Sequence, residues 1–229
     1  MAETNRTVFL FDVDNTLLDN DRVTAALKLF LIKEVGQDRT ERYWKIFEEL
    51  RRTLGYADYL GSLQEYRRQF PYDSHVLALS NFLIDYPFAN RLFPGSLDVI
   101  DKLKNYGAVV ILTDGDAVFQ PRKIERSGLG EAVDNNILIY VHKEQELADV
   151  ERRYPADHYF VFDDKIRILS AIKEQWIDRV TTVFVKQGHY AADVVTVSKF
   201  PKADVELDRI DDLLEISQSL FSPSTLTAR

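Results

Sequence analysis

Val8-Phe9-Leu10-Phe11-Asp12-Val13-Asp14-Asn15-Thr16 is an apolar run that ends in two carboxylates spaced two apart. Residues Val8–Val13 are apolar nearly throughout rather than alternating, as expected of a strand covered on both faces. Four further runs share that character: Val109–Thr113, Ile137–Val141, Tyr159–Phe162 and Thr181–Val185. Helical spacing lies between them. Leu97, Ile100 and Leu103 precede the second run, with Gly107 as a stop, and Ile166, Leu169, Ile172 and Trp176 precede the fifth. Strand–helix alternation with short connections predicts a doubly wound, mostly parallel α/β sheet.

The alternation breaks after the first strand. Residues 18–92 carry no strand pattern but three helical stripes: Val23, Ala26, Leu27, Phe30 and Leu31, with Asn20 or Asp21 as cap; Tyr43, Ile46, Phe47 and Leu50; and Val76, Leu77, Leu79, Ser80, Phe82 and Leu83. A helical domain at 18–92, inserted into a core of 1–17 and 93–229, is therefore expected, with Pro94-Gly95 at the return to the sheet. Residues 217–229, rich in Ser, Thr and Pro, are expected to fray.

Composition narrows the function. The chain has 229 residues, 45% hydrophobic and 29% charged, enough for one large domain or two modest ones. A formal charge of −8 argues against a nucleic-acid partner. With no cysteine, disulfides, thiolate zinc sites and a thiol nucleophile are excluded. The start, Met1 to Thr7, is polar and leads into only six residues of apolar run, too short for a signal peptide or a spanning helix. The cytoplasm is the expected location, with no membrane partner.

Ligands of open α/β sheets bind beyond the carboxyl ends of the strands. Those ends offer Asp12 and Asp14; Thr113, Asp114, Gly115 and Asp116; Lys143; and Asp163 and Asp164. Grouped carboxylates repel one another unless a hard cation neutralises them, and Mg²⁺ favours one or two carboxylates, waters and a phosphate oxygen. A Thr and a Lys beside them suit the remaining oxygens of a small phosphorylated metabolite. Asp12 could attack phosphorus to give an aspartyl-phosphate, while Asp14 serves as general acid and then base.

Asp12-Val13-Asp14-Asn15-Thr16-Leu17 resembles the first motif of the haloacid dehalogenase-like (HAD) superfamily. Ile111-Leu112-Thr113 is similar to its second motif, Lys143 to its third and Phe162-Asp163-Asp164 to its fourth, in the right order and at matching intervals. Leu92-Phe93-Pro94-Gly95-Ser96-Leu97 resembles the run-up to the second motif, and the insertion resembles a helical cap of the C1 type. The resemblance implies Asp12 as nucleophile and metal ligand, and Asp14 as acid/base lending its backbone carbonyl to the metal. It implies Thr113 and Lys143 as phosphate-binding, with Asp114 beside them, and Asp164 as direct metal ligand with Asp163 adjacent or acting through water. Members that cleave carbon–halogen or carbon–phosphorus bonds generally lack the second acid, so Asp14 favours phosphate monoesters. Phosphomutase-type transfer, 2-haloacid dehalogenation and a non-catalytic binding protein stand as alternatives. The chain departs from the pattern at Asp114, where Asn is usual, at Glu144, where Pro is usual, and at Arg167 and Ile168, where no acid follows Asp164.

Lys123 in Pro121-Arg122-Lys123 rivals Lys143 as the phosphate-binding lysine. Asp114 and Asp116 also suit a helix start, and Asp163-Asp164 a helix cap. Arg51, Arg52, Tyr56, Tyr59, Tyr66, Arg67 and Arg68 are candidate specificity residues of the insertion, although a solvated basic face with aromatic packing accounts for them more simply. His75, His142, His158 and His189 have no metal-ligand spacing. Gly128-Leu129-Gly130 starts like a dinucleotide fingerprint, but Val133 takes its third glycine position.

Overall fold

The computed structural model describes residues 6–217. Six parallel strands, β1 (Thr7–Phe11), β2 (Ala108–Asp114), β3 (Ile137–Tyr140), β4 (His158–Asp163), β5 (Val180–Val185) and β6 (Val205–Leu207), form one sheet in the order β3-β2-β1-β4-β5-β6. The order reverses at β1, between β2 and β4, so the carboxyl ends of these three strands frame the crevice where such sheets bind ligands. The five expected strands are all present. β6 has three residues, too few to show a pattern in sequence.

Period two divides the central strands between two cores. Phe9, Phe11, Val109, Ile111, Phe160 and Phe162 pack on one face, and Val8, Leu10, Val110, Leu112 and Val161 on the other. In register, Phe11 meets Ile111 and Phe162, and its ring stacks on Phe162 at 4.1 Å and 4°. Both faces are dry, which is why these strands read as unbroken apolar runs.

Between β1 and β2 lie α1 (Asn20–Val35), α2 (Gln37–Leu54), α3 (Tyr59–Gln69) and α4 (Val76–Asp85). Their buried stripes include Val23, Leu27 and Leu31; Tyr43, Ile46 and Phe47; and Leu79 and Leu83. Leu77, expected inward, is exposed. The cap of α1 is Asp19 rather than Asn20 or Asp21, since its carboxylate accepts from Arg22 N at 3.0 Å. The ends of the insertion are tied together: Leu18 bridges Leu92, Asp19 N donates to Arg91 O at 2.7 Å, and Phe93 N to Leu17 O at 2.9 Å. The chain thus leaves and rejoins the sheet layer at one place.

The remaining helices are α5 (Ser96–Lys104), α6 (Phe119–Ser127), α7 (Leu129–Ala132), α8 (Leu147–Arg153), α9 (Ile166–Trp176), α10 (Gly188–Ala192) and α11 (Val194–Val197). Helix α5 buries Val99, Ile100 and Leu103 while Leu97, expected inward, is 43% exposed. Helix α9 buries Ile166, Leu169, Ile172 and Trp176 as its spacing predicts. The expected fraying falls almost wholly outside the described residues. Among the described residues no helix is long and apolar enough to cross a membrane.

Candidate active site

The chain leaves β1 through a tight loop. Asp12 N still donates to Phe162 O of β4 at 3.0 Å, and then Leu17 N and Leu18 N both turn back to Val13 O. Asn15 adopts the left-handed conformation (φ 60°) that Asn tolerates better than most residues. The loop leaves Asp12 almost fully buried and sets Asp14 at the cleft.

Asp12 is clamped on one oxygen. Its Oδ1 accepts from Thr113 Oγ1 at 3.1 Å and from Lys143 Nζ at 2.6 Å, and Oδ2 has no donor. Gln120 Nε2 in turn donates to Thr113 Oγ1 at 3.1 Å. Lys143 is 1% exposed in its side chain and also meets Asp163 Oδ2 at 2.6 Å. Asp114 does not face outward as a helix-start acid: its Oδ1 accepts from Lys143 N at 2.8 Å and holds that lysine's backbone in place. Asp116 takes the helix-start role, accepting from Val118 N and Phe119 N.

The two rival lysines occupy different places. Lys143 serves Asp12, whereas Lys123, equally buried, reaches Asp14 Oδ1 at 2.6 Å and Asn20 Oδ1 at 3.1 Å.

Ligand oxygens of Asp12, Asp163 and Asp164 all lie within 4.8 Å of one another, forming a buried three-carboxylate group. Asp163 is engaged on both sides, since Oδ1 accepts from Lys165 N at 2.8 Å and Oδ2 pairs with Lys143. Asp164 is 0% exposed, and among the described residues neither oxygen has a donor. Burial pushes Asp164 well above the usual carboxylate range, and Lys165 only partly offsets it. Burial likewise acts to raise Asp12, but Lys143 and then Lys165 outweigh it and hold Asp12 below that range. For Lys143, desolvation disfavours the ammonium, yet Asp12, Asp163 and Asp114 keep it charged.

A buried carboxylate with no donor costs several kcal/mol, roughly, unless a cation sits beside it. The unpartnered oxygens of Asp164 and Asp12 fit a hard divalent cation, and an all-oxygen donor set suits Mg²⁺. Among the described residues no histidine joins the cluster.

The insertion lies over this edge. A cavity of about 360 Å³ holds Asp14, Asp114, Gln120 and Lys123 from the sheet side and Arg51, Tyr56 and Tyr59 from the helices. A second, of about 660 Å³, shares Asp14, Arg51, Tyr59, Lys165 and Tyr190. Three of the seven specificity candidates therefore face the cleft. Arg52, Arg67 and Arg68 are exposed to solvent, and Tyr66 is buried with its hydroxyl on Asp73, as the plainer reading expects. Gly55 makes the turn between Arg51 and Tyr56 in left-handed geometry (φ 82°), where a Cβ would stand 2.6 Å from His142 Cε1.

Sequence reasoning overlooked Gln120, Lys165 and Tyr190. Lys165 directly follows the fourth strand's acids and could have been found by extending that register one residue. Gln120 and Tyr190 carry no comparable signal.

The haloacid dehalogenase-like hydrolase family matches residues 7–174. A haloacid dehalogenase-like hydrolase from Burkholderia xenovorans LB400 is 55% identical, with TM-score 0.89, over 93% of this chain and 99% of that one. Two more distant structures share the fold. A HAD-hydrolase of Bacillus subtilis bound to magnesium has 17% identity and TM-score 0.61, over 93% of this chain and 98% of that one. The L-2-haloacid dehalogenase of Xanthobacter autotrophicus has 16% identity and TM-score 0.60, over 92% and 97%. No curated protein matches significantly. With the order of its strands, the loop after β1 and the acids at the sheet edge all agreeing, this chain belongs to the haloacid dehalogenase-like hydrolases.

Proposed function

We propose that the protein is a Mg²⁺-dependent phosphatase acting on a small phosphorylated metabolite, with residues 18–92 as its cap. The observation that carries this reading is Asp14: a second carboxylate lines the cleft beside Asp12, and a buried lysine holds it in position. Attack on carbon by a lone aspartate has no use for such a group, whereas expulsion of an alkoxide from phosphorus needs a proton.

Asp12 attacks phosphorus in line with the ester oxygen. The bond to that oxygen breaks, Asp14 gives it a proton, and an aspartyl-phosphate remains on Asp12. Water then attacks the phosphorus, Asp14 takes its proton, and the acyl-phosphate bond breaks to release phosphate and restore Asp12. Thr113 and Lys143 hold the non-reacting oxygens, and Asp114 keeps Lys143 in place. Asp12, Asp164 and the backbone carbonyl of Asp14 would hold Mg²⁺, with Asp163 beside them. The metal's chemistry is to neutralise phosphate charge and bring two anions together. Arg51, Tyr56 and Tyr59 bring the cap's contacts to the leaving group and shield the site from bulk water. We assign it a small-molecule substrate rather than a nucleic-acid or membrane partner, on the net charge of −8, and a cytoplasmic location.

A Mg²⁺-supplemented screen of several dozen phosphate esters tests the reading. Phosphate release that disappears with chelator and in Asp12→Asn is expected. Halide release from a 2-haloacid, with no phosphatase activity, overturns it in favour of dehalogenation. Transfer of phosphate within a labelled sugar phosphate would identify a mutase.

A further inference from the structure

Two cations at the cleft are unused by the mechanism. Lys165, directly after the acid pair, lines both cavities. Among the described residues its ammonium has no hydrogen-bond acceptor and no carboxylate within ion-pair distance. It stands over the face of the Tyr190 ring, with Nζ 5.1 Å from the centroid. Arg51, from the last turn of α2, comes to the same ring from the helical insertion. Its Cζ stands 5.6 Å from the centroid and Nη2 donates to the Tyr190 hydroxyl. Among the described residues its one ion pair is with Glu48 at 3.6 Å, which is 62% exposed in its side chain, and such a solvated pair contributes little.

Burial acts against the Lys165 ammonium, but Asp12, Asp164 and Asp163 outweigh it through space, without a hydrogen bond to its Nζ. The three acids that line the smaller cavity are occupied. Lys123 pairs with Asp14, Lys143 N binds Asp114, and Asp193 caps Thr196. Two cations from different layers thus converge on one aromatic ring at the boundary of the two cavities, in a chain whose net charge is −8, without a short carboxylate partner for either. Cation–aromatic contact is a weak tie for two like charges, and an anion between them would offset their mutual repulsion. Reaction at Asp12 accounts for one phosphate, which Thr113, Lys143 and a bound metal would hold.

We propose that Arg51 and Lys165, gathered on Tyr190, form an anion subsite that takes a second acidic group on the leaving part of the substrate. This rests on the phosphatase reading. The substrate class is then a small phosphate monoester with a carboxylate or a further phosphate at the end remote from the reacting one. A substrate held within the ~360 Å³ cavity that both cations line would carry a short carbon spacer between the two groups. Arg51 belongs to the insertion, so the second acid would also favour the closed arrangement of cap on core.

The test is calorimetric binding of non-hydrolysable probes to the full chain in Mg²⁺: 3-phosphonopropionate and propane-1,3-bisphosphonate against propylphosphonate, at constant ionic strength. At least one diacid is expected to bind about tenfold more tightly than propylphosphonate, or about 1.4 kcal/mol, and the tighter one shows whether the group is a carboxylate or a phosphate. Arg51→Gln and Lys165→Gln should each bring that ratio towards one, and Arg51→Lys should retain most of it. If Lys165→Gln fails to fold, Arg51→Gln, on the partly exposed end of a helix, decides. Equal binding of all three probes, or a preference unchanged in Arg51→Gln, overturns the subsite. Turnover of p-nitrophenyl phosphate, measured alongside, keeps the two readings apart. Turnover without probe preference removes the subsite alone, and probe preference without turnover of any ester removes the hydrolase reading and leaves the subsite.

Discussion

Two buried carboxylates, one in the helical insertion and one at the sheet edge, are held in opposite ways. Asp73 has 1% of its side chain exposed and is fully served: Tyr66 Oη donates at 2.5 Å, Arg39 Nη1 at 2.8 Å, and His75 offers its backbone N at 2.9 Å and Nδ1 at 2.8 Å. Burial acts to raise it, but the Tyr66 and His75 hydrogen bonds and Arg39 outweigh that and lower its pKa to about 2. Asp164 is as deeply buried and has no donor among the described residues, and its pKa goes the other way. A carboxylate surrounded by donors holds its surroundings together. One buried without them is destabilising in the free protein, and a bound cation would offset that cost.

The contrast can be broken at several points. Asp12→Asn has the largest expected effect, a loss of kcat of at least about 10³-fold, since no other carboxylate can attack from its position. Steady-state phosphate release measures it. Asp14→Asn should lower kcat about 10²–10⁴-fold through loss of acid–base assistance. The loss should shrink for esters with good leaving groups such as p-nitrophenyl phosphate; an equal loss for all esters would show that Asp14 acts otherwise.

Stability effects sharpen the comparison itself. Asp73→Ala should destabilise the chain by about 2 kcal/mol, read by denaturant unfolding, because it strands the donors of Tyr66 and Arg39. The pH dependence has a definite sign. The folded pKa of Asp73 is about 2, below the ordinary value of 3.8. Its stabilisation, about 2 kcal/mol, is therefore fully present above pH 4 and lost as the pH falls from 4 towards 2. Asp164→Asn should do the reverse: without metal it should raise the thermal midpoint by a few degrees, about 1 kcal/mol, while abolishing the further rise that Mg²⁺ gives the wild type. A loss of stability in that variant without metal would show that Asp164 has a donor after all.

The sheet was legible because burial on both faces leaves no polar position to blur the pattern. Val8, Phe9, Leu10 and Phe11 could be read as a central strand with no knowledge of its neighbours. Asp12, Thr113, Asp163 and Asp164 followed because strand ends in this topology meet at one edge. The insertion was legible as helices, yet the direction of its charged residues was not. Arg51 faces the cleft and Arg52 faces solvent, and neighbouring residues on a helix point about 100° apart. Their destinations depend on where the helix packs.

From sequence alone come the α/β class, the place of the insertion and the acids at the end of the first and fourth strands. Those features depend on local periodicity and on chain order. Which lysine serves which aspartate was decided only in three dimensions. Lys143 goes to Asp12 and Asp163, and Lys123, from α6, goes to Asp14. The meeting of Arg51 and Lys165 on Tyr190 was decided there too, across 114 and 25 positions of chain. A buried charge finds the nearest counter-charge or aromatic face that packing brings to it, and sequence separation carries no record of that distance.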